Sequence, residues 1–168
     1  MYKTGDKIIL KNSGVCEISD IVNEDYGSGK TKYYVIRPVF HNLDNVIRIP
    51  VDRSEQVRSL LSKKEINNLI NNLKHCENLW ISEVKQRKEA FNDILIKGDE
   101  KEIASLLYTI YLKKEGLKEK NKQLSMSDRA ILDNCERILF EEIATVMNID
   151  YFDVHDLIFK EFEKIEIE

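Results

Sequence analysis

Proline and glycine are scarce in this 168-residue chain, with 2 and 6 copies, and cysteine occurs only 3 times. A chain so poor in backbone breakers, yet 42% hydrophobic and 33% charged, is neither low-complexity nor collagen-like, and it carries enough apolar side chain for a core. No apolar run approaches the roughly 20 residues of a membrane-spanning helix. Met1-Tyr2-Lys3-Thr4-Gly5-Asp6 lacks the apolar stretch of a secretory signal. Cys16, Cys76 and Cys135 lie far apart, form no Cys-x-x-Cys pair and are odd in number, which argues against a disulfide framework. These absences predict a soluble cytoplasmic protein.

Chemistry is equally sparse. His41, His75 and His155 fall in different segments, none at ligand spacing from a cysteine or carboxylate. There is no GxxxxGK[ST] loop, no GxGxxG and no GxSxG. Gly27-Ser28-Gly29-Lys30 has a faint look of a phosphate loop, but no helix pattern follows it, so it reads as a hairpin tip. The sequence predicts no enzyme, no cofactor and no metal.

What is present is uneven charge. The formal net charge is −4, and residues 130–168 alone carry 3 basic against 11 acidic side chains, net −8. Residues 80–129 are net +2, so a surface for an anionic partner is expected before residue 130.

The hydrophobic period changes along the chain. Lys7–Leu10, Val15–Val22, Lys32–Arg37 and Val46–Ile49 read as short strands, separated by Ser13-Gly14, the Asp25–Gly29 loop and His41–Asn45. Pro38 and Pro50 stop the last two. Such strands suit a small, bent barrel of the Tudor/SH3 type. From residue 52 the period is helical: Val57, Leu60 and Leu61 begin an apolar stripe, and Ser62-Lys-Lys-Glu65 is a capping box. Trp80, Val84, Phe91 and Leu95 give a further helical stretch that Gly98 stops, with Asp99 capping the next. Ile103, Leu106, Leu107, Ile110 and Tyr111 form a helical face. Lys113–Gln123 reads as a charged connector, Ser125–Asp128 as a cap, and Asp150 or Asp153 as the start of a last helix whose Phe152, Phe159 and Phe162 read as core by default, with a dimer contact as the alternative. The expected fold class is α+β: residues 1–52 a β barrel, residues 53–168 an all-α domain of four to five helices.

The order Tyr2-Lys-Thr-Gly-Asp6, Ser13-Gly14-Val15, Tyr33-Tyr34-Val35 and Val46-Ile-Arg-Ile-Pro50 resembles the RNA-polymerase-interacting domain of the CarD/CdnL family, shared with transcription-repair coupling factors. Trp80-Ile81, Arg87-Lys88, Phe91, Gly98-Asp99, the Ile103–Tyr111 stretch, Leu124-Ser125, Arg129 and Glu141-Glu142-Ile-Ala144 resemble the family's helical domain. The resemblance implies a transcription regulator whose Tudor-like domain docks on the β-subunit lobe of bacterial RNA polymerase by edge-strand pairing. Its helical domain would touch promoter DNA at the upstream edge of the bubble, with a Trp wedge, and stabilise the open complex.

Carried onto this chain, the polymerase contacts expected are Arg48 first, then Arg37, Tyr34, Ile47 and Pro50. Lys32–Arg37 and Val46–Ile49 are the candidate edge strands. The resemblance places the family's second polymerase-contacting arginine near Glu24, in the acidic Asn23-Glu24-Asp25 stretch. The DNA contacts expected are Trp80, Lys85, Arg87, Lys88, Lys114 and Arg129, binding weakly and without sequence readout. Two readings of Trp80 stay open, a wedge or a core residue. A rival function is a polymerase-docked protein–protein adaptor whose acidic helical domain never touches DNA. Neither reading involves a membrane or a small-molecule substrate, and the protein would be associated with the nucleoid through RNA polymerase.

Overall fold

The computed structural model describes residues 1–11 and 13–165; residues 166–168, the end of the acidic last segment, lie outside the described residues. The chain divides into two compact units, Met1–Leu61 and Ser62–Glu168.

The first unit is one antiparallel sheet of β1 (Lys7–Leu10), β2 (Gly14–Asp25), β3 (Lys30–Pro38), β4 (Ile47–Pro50) and β5 (Val57–Ser59), in the order β4-β3-β2-β1-β5. Period-two alternation builds its core. Ile8 and Leu10, Cys16 and Ile18, Tyr34 and Ile36, Ile49 and Val57 all point to one side and are buried. β2 is too long to keep that phase unaided. A bulge between Ile18 and Asp20 shifts its register against β3, so Asp20 turns outward and Ile21 packs against the core. Val57–Ser59 is a strand paired with β1, not the start of a helix. The sheet therefore draws on residues beyond 52, and the compact unit runs to Leu61.

The second unit has five helices: α1 (Lys63–Asn72), α2 (Val84–Lys97), α3 (Glu100–Glu119), α4 (Met126–Met147) and α5 (Tyr151–Glu163). Ser62 and Glu65 form the expected capping box of α1. Gly98 closes α2 in the left-handed conformation (φ 74°), and Asp99 caps α3 through the backbone N–H groups of Lys101 and Glu102. α3 and α4 form the centre, with Ile103, Leu106, Leu107 and Ile110 packed among Leu132, Cys135, Leu139 and Phe140, all buried. α5 closes one side through Phe162, 5.1 Å from Tyr108, and Phe159, 4.7 Å from Tyr111. Phe152, expected in the core, is instead 77% exposed.

Three sequence expectations need correction here. Helix α2 begins at Val84, so Trp80 precedes it and lies on no helix. Val84 itself is exposed. The lysine-rich segment from residue 113 is not a connector: α3 runs through it to Glu119, because lysine and glutamate are good helix formers. The connection to α4 is only residues 120–125.

Candidate functional site

β4 is an outer strand of the sheet, so one row of its backbone N–H and C=O groups has no strand beside it among the described residues. β3, by contrast, is covered on both sides, with Tyr33–Ile36 paired to β4. Of the two candidate edge strands, only the second is one. Alternation sends Ile47 and Ile49 toward the core and Arg48 to the opposite face, over Val35. There the Arg48 guanidinium lies 3.4 Å from the Glu24 carboxylate, which also accepts the phenol proton of Tyr26. Tyr26 meets Tyr33 edge-on at 5.8 Å. Glu24 is thus the ion-pair partner of Arg48 on this face. Arg37 is exposed at the end of β3, opposite Glu17, and Pro50 is half-buried. Tyr34 is 1% exposed; its hydroxyl accepts the Tyr2 backbone N–H at 3.1 Å, so its side chain is core and not a contact surface.

In the helical unit, Trp80 sits half-buried on the irregular strap between α1 and α2. The strap has no ladder of its own, so side chains satisfy its backbone. Thr109 accepts the Leu79 N–H at 2.8 Å, and Asn78 accepts that of Trp80 at 3.0 Å. The indole meets Phe91 edge-on at 6.3 Å. Two cations lie over its ring: Arg87 Cζ at 4.2 Å from the centroid and Lys113 Nζ at 4.8 Å. Trp80 is thus neither a fully buried core residue nor a fully exposed one: the indole packs against Phe91 and the ring remains partly open.

Arg87 is not a free basic residue. It is 6% exposed and makes a forked ion pair with the equally buried Asp128, Nε to Oδ1 at 3.0 Å and Nη2 to Oδ2 at 3.1 Å. Its Nη1 donates to the carbonyls of Ile81 at 2.9 Å and Ser82 at 3.3 Å. With its donors so engaged, Arg87 does not present charge to an external phosphate, against the sequence expectation.

The exposed cations gather elsewhere. Lys114 and Lys118, one turn apart on α3, Lys122 just after it and Arg129 in the first turn of α4 line a groove of about 350 Å³ with Leu124, Leu132, Asp133, Glu136 and His155. Among the described residues, none of these four cationic side chains is held in an ion pair. Glu136 lies half-buried among them. Burial pushes its carboxyl up from the ordinary value and Asp133 adds to this, while His155, Lys114 and Arg129 pull it back. Lys85 and Lys88 are exposed on the first turns of α2.

The structure thus brings Lys114 and Arg129 together and places Trp80 against Arg87. Lys113 on the ring and Glu136 and His155 in the groove were not singled out as site residues, and no local spacing marks them. No group of three or more His, Cys, Asp or Glu suited to a metal occurs among the described residues, and no helix there is long and apolar enough to cross a membrane.

Residues 2–61 match the CarD-like/TRCF RID domain, and residues 68–159 match the CarD C-terminal domain. The chain is also 25% identical over 149 residues to the candidate transcription factor YdeB of Bacillus subtilis (strain 168), covering 89% of this chain and 94% of that protein. With the two matches following the two units, the chain belongs to the CarD-like family of transcription factors and carries that family's RNA-polymerase-interacting domain.

Proposed function

We propose that the protein docks on the β-subunit lobe of RNA polymerase through the β4 edge and Arg48, and stabilises the promoter open complex by touching DNA at the upstream edge of the bubble. Addition of a partner strand to an outer strand supplies main-chain hydrogen bonds, and the Glu24-oriented Arg48 adds a charged contact beside them. The observation that carries the DNA half is the cation arrangement: a half-buried Trp80 with Lys113 on its ring, and Lys114, Lys118, Lys122 and Arg129 around one groove with no ion pair among the described residues. Lysine and arginine near phosphates give affinity without base choice. An indole inserted at a base step costs a few kcal/mol of unstacking in intact duplex, and less at a junction already opening.

A second reading has its own observation. α5 exposes Phe152 beside Asp153 and Asp156, an apolar and acidic surface unlike a DNA contact and suited to an adaptor. Open-complex lifetime on cognate polymerase and a fluorescent promoter separates the two. Wild type is expected to lengthen the lifetime, Arg48→Glu to abolish the effect and Trp80→Ala to weaken it. Binding to polymerase with no change in lifetime would remove the DNA role and leave the adaptor.

A further inference from the structure

The Arg87–Asp128 pair poses a physical problem. Two buried charges gain little net stability over apolar residues of similar volume, so stability alone does not account for the pair. What the pair adds is direction. Its guanidinium is a planar fork with fixed donor angles. One edge of it meets the Asp128 carboxylate, one nitrogen reaches the Ile81 and Ser82 carbonyls, and the group lies 4.2 Å from the Trp80 ring centroid. Asp128 is itself fixed at the start of α4. Its backbone N–H donates to the Ser125 hydroxyl at 3.1 Å, and that hydroxyl donates back to its carboxylate at 2.7 Å.

We infer that Arg87 is a positioning residue that holds the Trp80 strap and indole in the orientation used against nucleic acid, with Asp128 as its anchor. The inference rests on reading Trp80 as the nucleic-acid-facing residue. The strap is tied on both sides of Trp80. Before it, Thr109 of α3, whose own proton goes to the Ser105 carbonyl at 2.7 Å, accepts the Leu79 N–H; after it, Arg87 gathers the carbonyls of Ile81 and Ser82. Trp80 is thereby suspended between α3 on one side and the α2–α4 pair on the other. The two cations on its ring are unlike each other. Arg87 is locked in place, whereas Lys113 is held by no ion pair among the described residues and is free to exchange the ring for a phosphate. The Arg87 contact stays in place, and the Lys113 contact is the one that gives way.

Trp80 is the only tryptophan, so its fluorescence in the intact chain reports on this orientation without polymerase or DNA. Three variants are compared under conditions where circular dichroism shows each to be folded: Arg87→Lys, which keeps charge but loses the fork; Asp128→Asn; and Arg87→Met with Asp128→Leu, which refills the volume with apolar side chains. Acrylamide quenching of Trp80 is expected to rise about twofold in each, with a red-shifted emission, as the cation lifts from the ring. The apolar pair is expected to keep or regain thermal stability without restoring the quenching. Folded variants with wild-type quenching, or an apolar pair that restores it, would overturn the inference. Open-complex lifetime is measured on the same variants with polymerase affinity as control. If Trp80→Ala leaves that lifetime unchanged, the functional reading of Trp80 fails; the quenching result judges the positioning of Trp80 by Arg87 independently.

Discussion

Glu136 occupies a costly position for a carboxylate. It is half-buried on α4, and burial is the largest influence on it, raising its pKa above the ordinary value, with Asp133 of the same helix adding to this, despite His155 from α5, Lys114 from α3 and Arg129 from its own helix. A group whose folded pKa is raised contributes stability below its unfolded pKa, and that contribution is lost as pH climbs through the folded value. At neutral pH the ionised Glu136 therefore weighs against the fold. Glu136→Gln is expected to raise the urea midpoint modestly at pH 7 and to lose that advantage as pH falls toward the ordinary carboxylate range. An equal gain at both pH values would show that packing, not charge, is responsible. The same substitution removes a negative charge from among the four cations, so the groove should bind phosphates more tightly. At this scale the sequence is deceptive in one direction. Arg87 looks like a phosphate contact because arginine usually is one near nucleic acid, but its partner Asp128 lies 41 residues away and no local pattern announces it. Arg48 was legible, since alternation alone turns it away from Ile47 and Ile49.

Elements were read well where caps and periods were strong and poorly where they were short. The Ser62 capping box, the Gly98-Asp99 junction and the Ile103–Ile110 face all stand where the sequence put them. The strand Val57–Ser59 hides in the sequence because three residues are too few to show a period of two, and Val57, Leu60 and Leu61 mimic a helical spacing. The C-terminal turns of α3 resemble a loop in sequence because they are rich in charge. The lysines there complement the negative end of the helix dipole, and the helix continues through Gly116. That glycine offers a sharp contrast with Gly98. A Cβ at Gly116 meets nothing within 4 Å and the backbone is helical, so Gly116→Ala is expected to stabilise by about 0.5–1 kcal/mol. Gly98 also has space, but its φ of 74° is left-handed, so Gly98→Ala is expected to destabilise by about 1 kcal/mol. Chemical denaturation of the two variants checks both signs; a gain at Gly98 or a loss at Gly116 would contradict the assigned helix ends.

At the scale of the whole molecule, the question that the proposed function raises is how an acidic protein would hold a phosphate backbone. The net charge of −4 hides a separation, with the groove cations on α3 and α4 and the acidic side chains concentrated after residue 130. Free protein should bind duplex DNA weakly, because few phosphates are neutralised and the acidic segment repels the rest. Each neutralised phosphate contributes about 0.9 to the slope of log affinity against log salt on duplex DNA. Replacing both Lys114 and Arg129 by Gln should therefore lower that slope by roughly 2 and weaken binding similarly on unrelated sequences. On the proposed function, docking on polymerase would change the balance without adding a DNA contact. A tethered groove would meet the promoter at an effective concentration on the order of millimolar, enough to fill a site that is nearly empty in free solution. The double substitution should accordingly shorten the open-complex lifetime at moderate salt and matter less at low salt, where the remaining lysines suffice. Arg48→Glu should remove the effect at every salt concentration, because it releases the tether and not the phosphate contact. A slope unchanged by the double substitution would place the phosphate contacts on other lysines, Lys85 and Lys88 of α2 being the exposed pair to test next.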